Sequence, residues 1–197
     1  MGRRMDIYGD LNSGNCLKVK WLCDYLARPY RWIAVDTMNG GSRTPAFLAI
    51  NPVGQVPVVV LDDGRALAQS NAIIRYLGRD SDLVPGDAYE AAKMDEWLFW
   101  EQYSHEPYIA VCRYQMVYLG RPVSSLDPDK VARGHAALDR MERQLAITTH
   151  LVGDAPTLAD VALLAYTRVA SEGGFDLTAC PAIRRWIVDA ERALGVA

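Results

Sequence analysis

The first eighty residues alternate short β-branched runs with segments of helical periodicity. The apolar positions that predict a first helix over 15–26 are Leu17, Val19, Leu22, Cys23 and Leu26. Thr44 as N-cap and Pro45 at the first helical position predict a short helix over 45–49. The valines that follow Pro57 are typical of a buried strand, predicted over 56–61, and Asp62-Asp63-Gly64-Arg65 predicts a hairpin turn into a partner strand. The order of the elements, β-α-β-α-β-β-α, indicates a mixed sheet flanked by helices.

The pattern changes after residue 80. Residues 80–88 (DSDLVPGDA) have the composition of a linker, and no strand pattern follows them. Long helical periodicity runs through 91–118 and 128–150, and Thr157 with Asp160 forms a capping-box motif before another apolar helix. We therefore predict an α/β domain over 1–80 and an all-helical domain over 88–197.

Composition and charge narrow the function classes. The 197-residue chain has a net charge of −3 and scattered basic residues, which argues against a nucleic acid partner or an anionic membrane surface. No apolar stretch approaches the roughly 18 residues that a membrane span requires. An acidic residue follows the basic pair Arg3-Arg4 where the apolar core of a signal peptide would begin, so we expect a cytoplasmic protein.

The four cysteines show no metal-ligand spacing and are interpreted as reduced thiols, with no metal expected. Three other stretches carry candidate chemistry. SGNC at 13–16 places Ser13 and Asn15 at the start of a helix, where N–H groups stabilise an anion such as a thiolate; simple N-capping is the alternative. QSN at 69–71 offers the same choice between holding a carboxylate and capping a helix.

The third stretch is QVP at 55–57, at the mouth of the predicted strand. A trans Val56–Pro57 bond would merely rigidify the strand entry. A cis bond would turn the N–H and C=O of Val56 away from the sheet, where an extended peptide can pair with them as an added strand.

These stretches resemble the cytosolic glutathione transferases, in particular the serine-type classes and bacterial members. NPVGQVPVVVLDDGRALAQSNAIIRYL (51–77) is similar to the glutathione-site segment of that family. SGNCLKV (13–19) resembles the start of its first helix, and TLADVALLAY (157–166) resembles the capping-box segment of its helical domain. The resemblance implies an α/β thioredoxin-like N-terminal domain, an all-α C-terminal domain and usually a homodimer.

The resemblance also implies which residues hold glutathione. It implies a cis Val56–Pro57 bond, with the backbone of Val56 pairing the cysteinyl unit. Gln69 and Ser70 would hold the γ-glutamyl end, although the family usually has Glu or Asp where this chain has Gln69. The two residues that would face the glycyl carboxylate are Gln55 and Arg43.

Three residues compete for the role of activating the thiol. Ser13 fits the position of the serine in serine-type classes and ranks first. Cys16 ranks second, although it falls one residue after the cysteine of cysteine-type classes. Tyr8 ranks third because it lies one residue too early, and a one-residue slip on a strand turns a side chain to the opposite face.

The resemblance implies a glutathione transferase that stabilises the thiolate of its co-substrate and conjugates it to a small hydrophobic electrophile, typically in detoxification. A glutathione-dependent peroxidase or disulfide-bond reductase is a variant within the same enzyme class. A non-catalytic, dimeric glutathione transferase-like binding protein is the alternative from another class.

Overall fold

The structure is a computed structural model in which residues 5–196 are described. Residues 1–4, with the basic pair used in the localisation prediction, and residue 197 lie outside the described residues. The chain forms two compact units that divide between Ser81 and Asp82.

The N-terminal unit is a four-stranded mixed sheet with helices, as the sequence predicts. Its strands and helices are, in order, β1 (Met5–Gly9), α1 (Gly14–Tyr25), β2 (Tyr30–Ala34), α2 (Pro45–Ile50), β3 (Val58–Val60), β4 (Ala66–Ala68) and α3 (Ser70–Leu77). The strand order is β2-β1-β3-β4, with β1 parallel to β2 and β3 antiparallel to both of its neighbours.

The side chains of β1 alternate between the two faces of the sheet. Ile7 and Gly9 lie on the face that α1 covers: a Cβ at Gly9 would stand 2.5 Å from the Trp32 ring and 3.3 Å from Cys16 Cβ. Tyr8 lies on the other face, with its ring edge-on to Phe47 of α2 at 6.2 Å between centroids. Glycine at position 9 therefore lets α1 approach the end of the strand.

The strand predicted from Val56 is shorter than expected. The ladder begins at Val58, which pairs with Tyr8 of β1 and Ala68 of β4, and Val56 and Pro57 lie outside it. The Val56–Pro57 peptide bond is cis, so that prediction is confirmed.

The C-terminal unit is mostly helical, as predicted. Its helices are α4 (Ala88–Trp100), α5 (Glu106–Arg113), α6 (Pro128–Leu145), α7 (Leu158–Thr167) and α8 (Pro181–Leu194), with π-helical segments at Glu101–His105 and Tyr114–Tyr118. Pro107, which lacks an N–H, follows the first π-helical segment, where the regular hydrogen-bond pattern cannot continue. None of the helices within residues 5–196 combines the length and the apolar composition that a membrane span requires.

The predicted helix over 128–150 ends early, at Leu145. The Gln144 carbonyl accepts the N–H groups of both Ile147 and Thr148, at 3.0 and 3.1 Å, so the last turn tightens instead of continuing as a regular helix. Beyond it the Thr148 hydroxyl donates to the carbonyl oxygen of His150 at 2.6 Å.

Helix α7 is the buried centre of this unit, and the predicted capping box stands at its start. Thr157 accepts the N–H of Ala159 at 3.2 Å, and the Asp160 carboxylate accepts the N–H of Thr157 at 2.8 Å. Asp160 also accepts the N–H of Leu151 at 3.1 Å and the indole N–H of Trp186 at 2.7 Å. One carboxylate thus joins α7, the segment before it and α8.

Candidate active site at one end of the N-terminal sheet

Three segments that the sequence singles out leave the sheet at the same end. Tyr8, Val58 and Ala68 lie side by side on β1, β3 and β4. Because β3 is antiparallel to both neighbours, its start lies beside the ends of the other two strands. The chain segments that continue beyond Tyr8, Val58 and Ala68 at this end of the sheet therefore lie close together; they are residues 10–13, 55–57 and 69–70.

Ser13 occupies the N-cap position of α1 but does not cap it with its side chain. Its carbonyl oxygen accepts the N–H groups of Cys16 and Leu17 at 3.0 Å each, whereas its hydroxyl makes no capping bond. Asn15 lies inside the helix rather than at the cap. The capping alternative is therefore wrong for both side chains, and the half-buried Ser13 hydroxyl lies at the positive end of α1.

Cys16, the second candidate for activating a thiol, is fully buried. Burial raises the pKa of the Cys16 thiol to about 11, and this outweighs the lowering by hydrogen bonds from the Asp10 N–H and the Ser13 side chain. The Asp10 nitrogen lies 3.4 Å from Cys16 Sγ. At neutral pH the side chain is a thiol without access to solvent, so it lacks the thiolate character of a reactive cysteine.

Tyr8, the third candidate, belongs to the apolar core on the α2 side of the sheet. It packs against a buried cluster of Val35, Phe47 and Val58. That face is opposite the one covered by α1, as the one-residue slip in the sequence predicts. The geometry therefore favours Ser13 over both alternatives.

Ser70 connects the start of α3 to the start of α1. It is the first residue of α3 and is only 4% exposed, and its hydroxyl donates to Asn15 Oδ1 at 3.1 Å. The preceding residue, Gln69, is exposed and has φ of 70° and ψ of 111°, a backbone conformation that non-glycine residues seldom adopt. Such conformations concentrate at binding sites.

Lys18 is part of the same cluster, and the sequence interpretation missed it. Its side chain is fully buried, and its nitrogen donates to Asn15 Oδ1 at 2.8 Å and to Asn71 Oδ1 at 3.5 Å. Lys18 lies three residues after Asn15 and four before the buried Leu22, on one stripe of α1. Its position on the inward-facing stripe of α1 is the feature of the sequence that could have predicted its burial.

The loop before β3 presents the backbone of Val56. In residues 5–196 neither its N–H nor its C=O makes a hydrogen bond with another backbone group. The buried Asn51 side chain holds the loop, since its nitrogen donates to the Gln55 carbonyl at 2.8 Å and its oxygen accepts the Val53 N–H at 3.3 Å. Asn51 thus fixes the loop, and the backbone of Val56 can pair with an extended ligand.

Arg43 lies against the same loop. Its guanidinium donates to the Val53 carbonyl at 3.1 Å, and a Cβ at Gly54, where φ is +69°, would stand 2.5 Å from its Nη1 atom. The Arg43 and Gln55 side chains are both exposed and belong to adjoining segments. A carboxylate at this edge would find a cation and an amide donor.

A metal centre was not expected, and within the described range no group of three or more His, Cys, Asp or Glu side chains is arranged to hold a metal ion. The donors at this end of the sheet are hydroxyl, amide and ammonium groups, which bind carboxylates and thiolates.

Comparisons with known proteins point to one family. The model of the glutathione S-transferase N-terminal domain matches residues 12–80, and the model of the glutathione S-transferase C-terminal domain matches residues 127–188. The crystal structure of a glutathione S-transferase from Pseudomonas fluorescens superposes with a TM-score of 0.92 at 45% identity, over 96% of this chain and 95% of that one.

Two curated relatives extend the comparison. Glutathione S-transferase 3 of Zea mays is 34% identical over 79% of this chain and 73% of its own length. A probable elongation factor 1-gamma 1 of Arabidopsis thaliana is 32% identical over 69% of this chain. The aligned region covers 34% of the length of that relative. Both domain models, the curated relatives and the shared thioredoxin-like fold show that the chain belongs to the glutathione S-transferase family.

Proposed function

We propose that the chain is a glutathione transferase whose Ser13 hydroxyl stabilises the thiolate of bound glutathione for attack on a small hydrophobic electrophile. The observation that carries the proposal is the position of Ser13. Its hydroxyl stands at the start of α1 without capping the helix, at the end of the sheet where Val56 and Ser70 also lie.

Each part of glutathione has a matching group. The backbone of Val56 pairs with the cysteinyl unit as an added strand, beside Pro57. Ser70 and the first N–H groups of α3 hold the carboxylate of the γ-glutamyl unit, next to the Gln69 side chain. Arg43 and Gln55 hold the glycyl carboxylate at the edge of the loop.

Stabilising the thiolate requires only a modest interaction energy. Lowering the pKa of a thiol by about two units, from about 8.5, requires about 2.7 kcal/mol. A hydrogen bond to a charged group contributes about 1.5–3 kcal/mol, and a helix N-terminus adds about 0.3–1 kcal/mol. The thiol proton passes to solvent, Ser13 donates a hydrogen bond to the sulfur, and the thiolate forms a bond to carbon as the leaving group departs.

The acceptor is proposed to be a small hydrophobic electrophile, and the protein a cytoplasmic homodimer with a role in detoxification, as is typical of the family. Light scattering during size-exclusion chromatography measures the oligomeric state directly. A monomeric mass at assay concentration would contradict the homodimer without affecting the proposed chemistry.

A non-catalytic binding protein is the second candidate. The neutral Gln69 and the similarity to an elongation factor 1-gamma favour it. A disulfide-bond reductase that uses Cys16 as its nucleophile is not favoured, because burial raises the pKa of that thiol to about 11. A peroxidase reaction would use the same glutathione thiolate, stabilised by Ser13 in the same way. It differs from the transferase reaction only in the acceptor that the thiolate attacks.

Calorimetric titration with glutathione, followed by turnover of an aryl halide, a hydroperoxide and a mixed disulfide, tests the proposal. We expect wild type to bind glutathione and to conjugate the aryl halide. Ser13→Ala should still bind but lose most of its turnover, whereas the matched control Ser171→Ala, in an exposed segment of the C-terminal unit, should behave as wild type. Binding without any turnover would support the non-catalytic candidate, and no binding would overturn the transferase and leave only a non-catalytic protein.

A further inference from the structure

Asp10 lies in the loop between β1 and α1, and hydrogen bonds engage all four of its polar atoms. Its N–H points at Cys16 Sγ, 3.4 Å from the nitrogen, and its carbonyl oxygen accepts the N–H of Ser13 at 3.0 Å. One carboxylate oxygen accepts the N–H of Asn12 at 2.9 Å, and the other accepts the hydroxyl of Thr37 at 2.5 Å. A half-buried carboxylate therefore fixes the loop that presents Ser13, although the chemistry proposed for Ser13 does not use it.

The partner of this carboxylate, Thr37, belongs to a second well-ordered segment, between β2 and α2. The Gly41 N–H donates to the Asp36 carbonyl at 2.7 Å, and a Cβ at Gly41 would stand 2.6 Å from that oxygen. The Asp36 carboxylate accepts the backbone N–H and the side-chain amide of Asn39, at 3.0 and 2.7 Å. The segment leads into Arg43, so the bond from the Thr37 hydroxyl connects the loop proposed for the sulfur to the segment proposed for the glycyl carboxylate.

The same carboxylate brings a negative charge close to the place where the thiolate is proposed to form. Its hydrogen bonds and covalent geometry put it within about 10 Å of Ser13 Oγ. The neighbouring Cys16 thiol responds to this charge. Burial is the largest cause of its raised pKa and the charge of Asp10 raises the pKa further, whereas a hydrogen bond from the Ser13 side chain and the charge of Lys18 lower it. Asp10 therefore opposes a thiolate that Ser13 stabilises.

We propose that Asp10 is a positioning residue for Ser13, whose hydrogen bonds hold the loop in place while its negative charge limits how much of the bound glutathione is ionised. The inference rests on the proposed transferase function and adds a residue that sets the strength of thiolate stabilisation. Its two effects have opposite signs. Any neutral acceptor of the same shape preserves the hydrogen bonds, whereas only a charged group disfavours the thiolate.

Asp10→Asn separates the two effects, because it removes the charge and keeps the hydrogen bonds. The amide oxygen accepts the N–H of Asn12, and the amide nitrogen donates to the Thr37 hydroxyl once that group rotates. Titration of the thiolate absorbance of bound glutathione should give a pKa about half a unit below that of wild type, the effect of removing a unit charge about 10 Å from a partly exposed group. An unchanged or raised pKa would overturn the role of the charge.

Thr37→Val makes the opposite change, since it removes the hydroxyl and keeps the charge of Asp10. With the loop less well held, the pKa of the bound thiol should rise toward about 8.5 and kcat should fall about tenfold. The KM for glutathione should change less than about twofold, because Val56 and Ser70 still hold the tripeptide. Thr37→Ser keeps the hydroxyl and should restore the wild-type values. Wild-type kcat and pKa in Thr37→Val would overturn the positioning role, and these two variants test it even if Asp10→Asn does not fold.

Asp63→Asn is the matched control for the lost charge. Asp63 is exposed in the turn between β3 and β4, at the opposite end of the sheet, and its replacement changes the net charge by the same amount. Its bound thiol should titrate as in wild type. An equal fall in pKa for Asp63→Asn and Asp10→Asn would overturn the proposal by showing a general effect of net charge. A bound thiol that titrates near about 8.5 in wild type would instead overturn the proposed function.

Discussion

Replacing Asp160 by alanine removes an acceptor that four buried donors share. The carboxylate is fully buried and accepts from the backbone N–H groups of Leu151 and Thr157, the hydroxyl of Thr157 and the indole of Trp186, at 2.7–3.1 Å. In Asp160→Ala the hydroxyl can rotate to another partner, but the three N–H groups lose their acceptor within the core.

The expected cost follows from those three orphaned donors. Each buried group left without a partner costs about 1–3 kcal/mol, and removing one partner of a buried charged network typically costs about 3–5 kcal/mol in total. We take about 3–5 kcal/mol as the loss in free energy of unfolding, a large share of the roughly 5–15 kcal/mol that a domain possesses. Trp186→Phe removes a single donor and keeps most of the ring, so it should cost less than Asp160→Ala.

Urea unfolding followed by circular dichroism and tryptophan fluorescence measures these losses. Asp139→Ala is the matched control, because Asp139 is exposed on α6, and it should change stability by less than about 0.5 kcal/mol. The two core substitutions should be non-additive, since both remove the bond between Asp160 and Trp186. A loss for Asp160→Ala as small as that of the control would refute the role of this carboxylate.

Three further changes test other parts of the structure. Glu142 accepts the N–H groups of Ala182 and Ile183, at 2.9 Å each, so Glu142→Ala should lower the free energy of unfolding by about 1–2 kcal/mol; an unchanged urea midpoint would contradict this capping role. Gln69→Glu should strengthen glutathione binding severalfold by pairing the γ-glutamyl ammonium, and calorimetry showing equal or weaker binding would contradict that placement. Burial raises the pKa of the Cys16 thiol from 9.0 to about 11, so the unfolded chain releases this proton first and stability should fall between about pH 9 and 11. Urea unfolding of Cys16→Ala should show a shallower decline over that window; an identical decline would contradict the shift.

Local signals in the sequence predicted local structure well. The Thr44 hydroxyl accepts the N–H of Phe47 at 3.3 Å as the predicted cap of α2, and the capping box of Thr157 and Asp160 forms as expected. Each of these motifs joins residues within three positions, so the pattern alone contains the interaction. The order of strands and helices in the N-terminal unit follows from the same kind of signal.

Features that depend on distant residues were not predictable in the same way. The Lys18 ammonium group donates to Asn71 in α3, which is 53 residues away, and the Ser70 hydroxyl donates to Asn15 across 55 residues. No periodicity contains such contacts, because they arise only when α1 and α3 pack side by side. The resemblance to a family pointed to Ser13 and Val56, and the geometry then explained why Cys16 and Tyr8 are poorer candidates.

The thiolate absorbance of bound glutathione, titrated against pH, tests the role of Ser13 most directly. Wild type and Ser13→Ala are compared at saturating glutathione, with the conservative Tyr8→Phe as the control on the opposite face of the sheet. We expect wild type to lower the pKa of the bound thiol by about two units from about 8.5, and Ser13→Ala to return it close to that value. A titration curve that is the same in wild type and Ser13→Ala would contradict the assignment of Ser13 as the group that stabilises the thiolate.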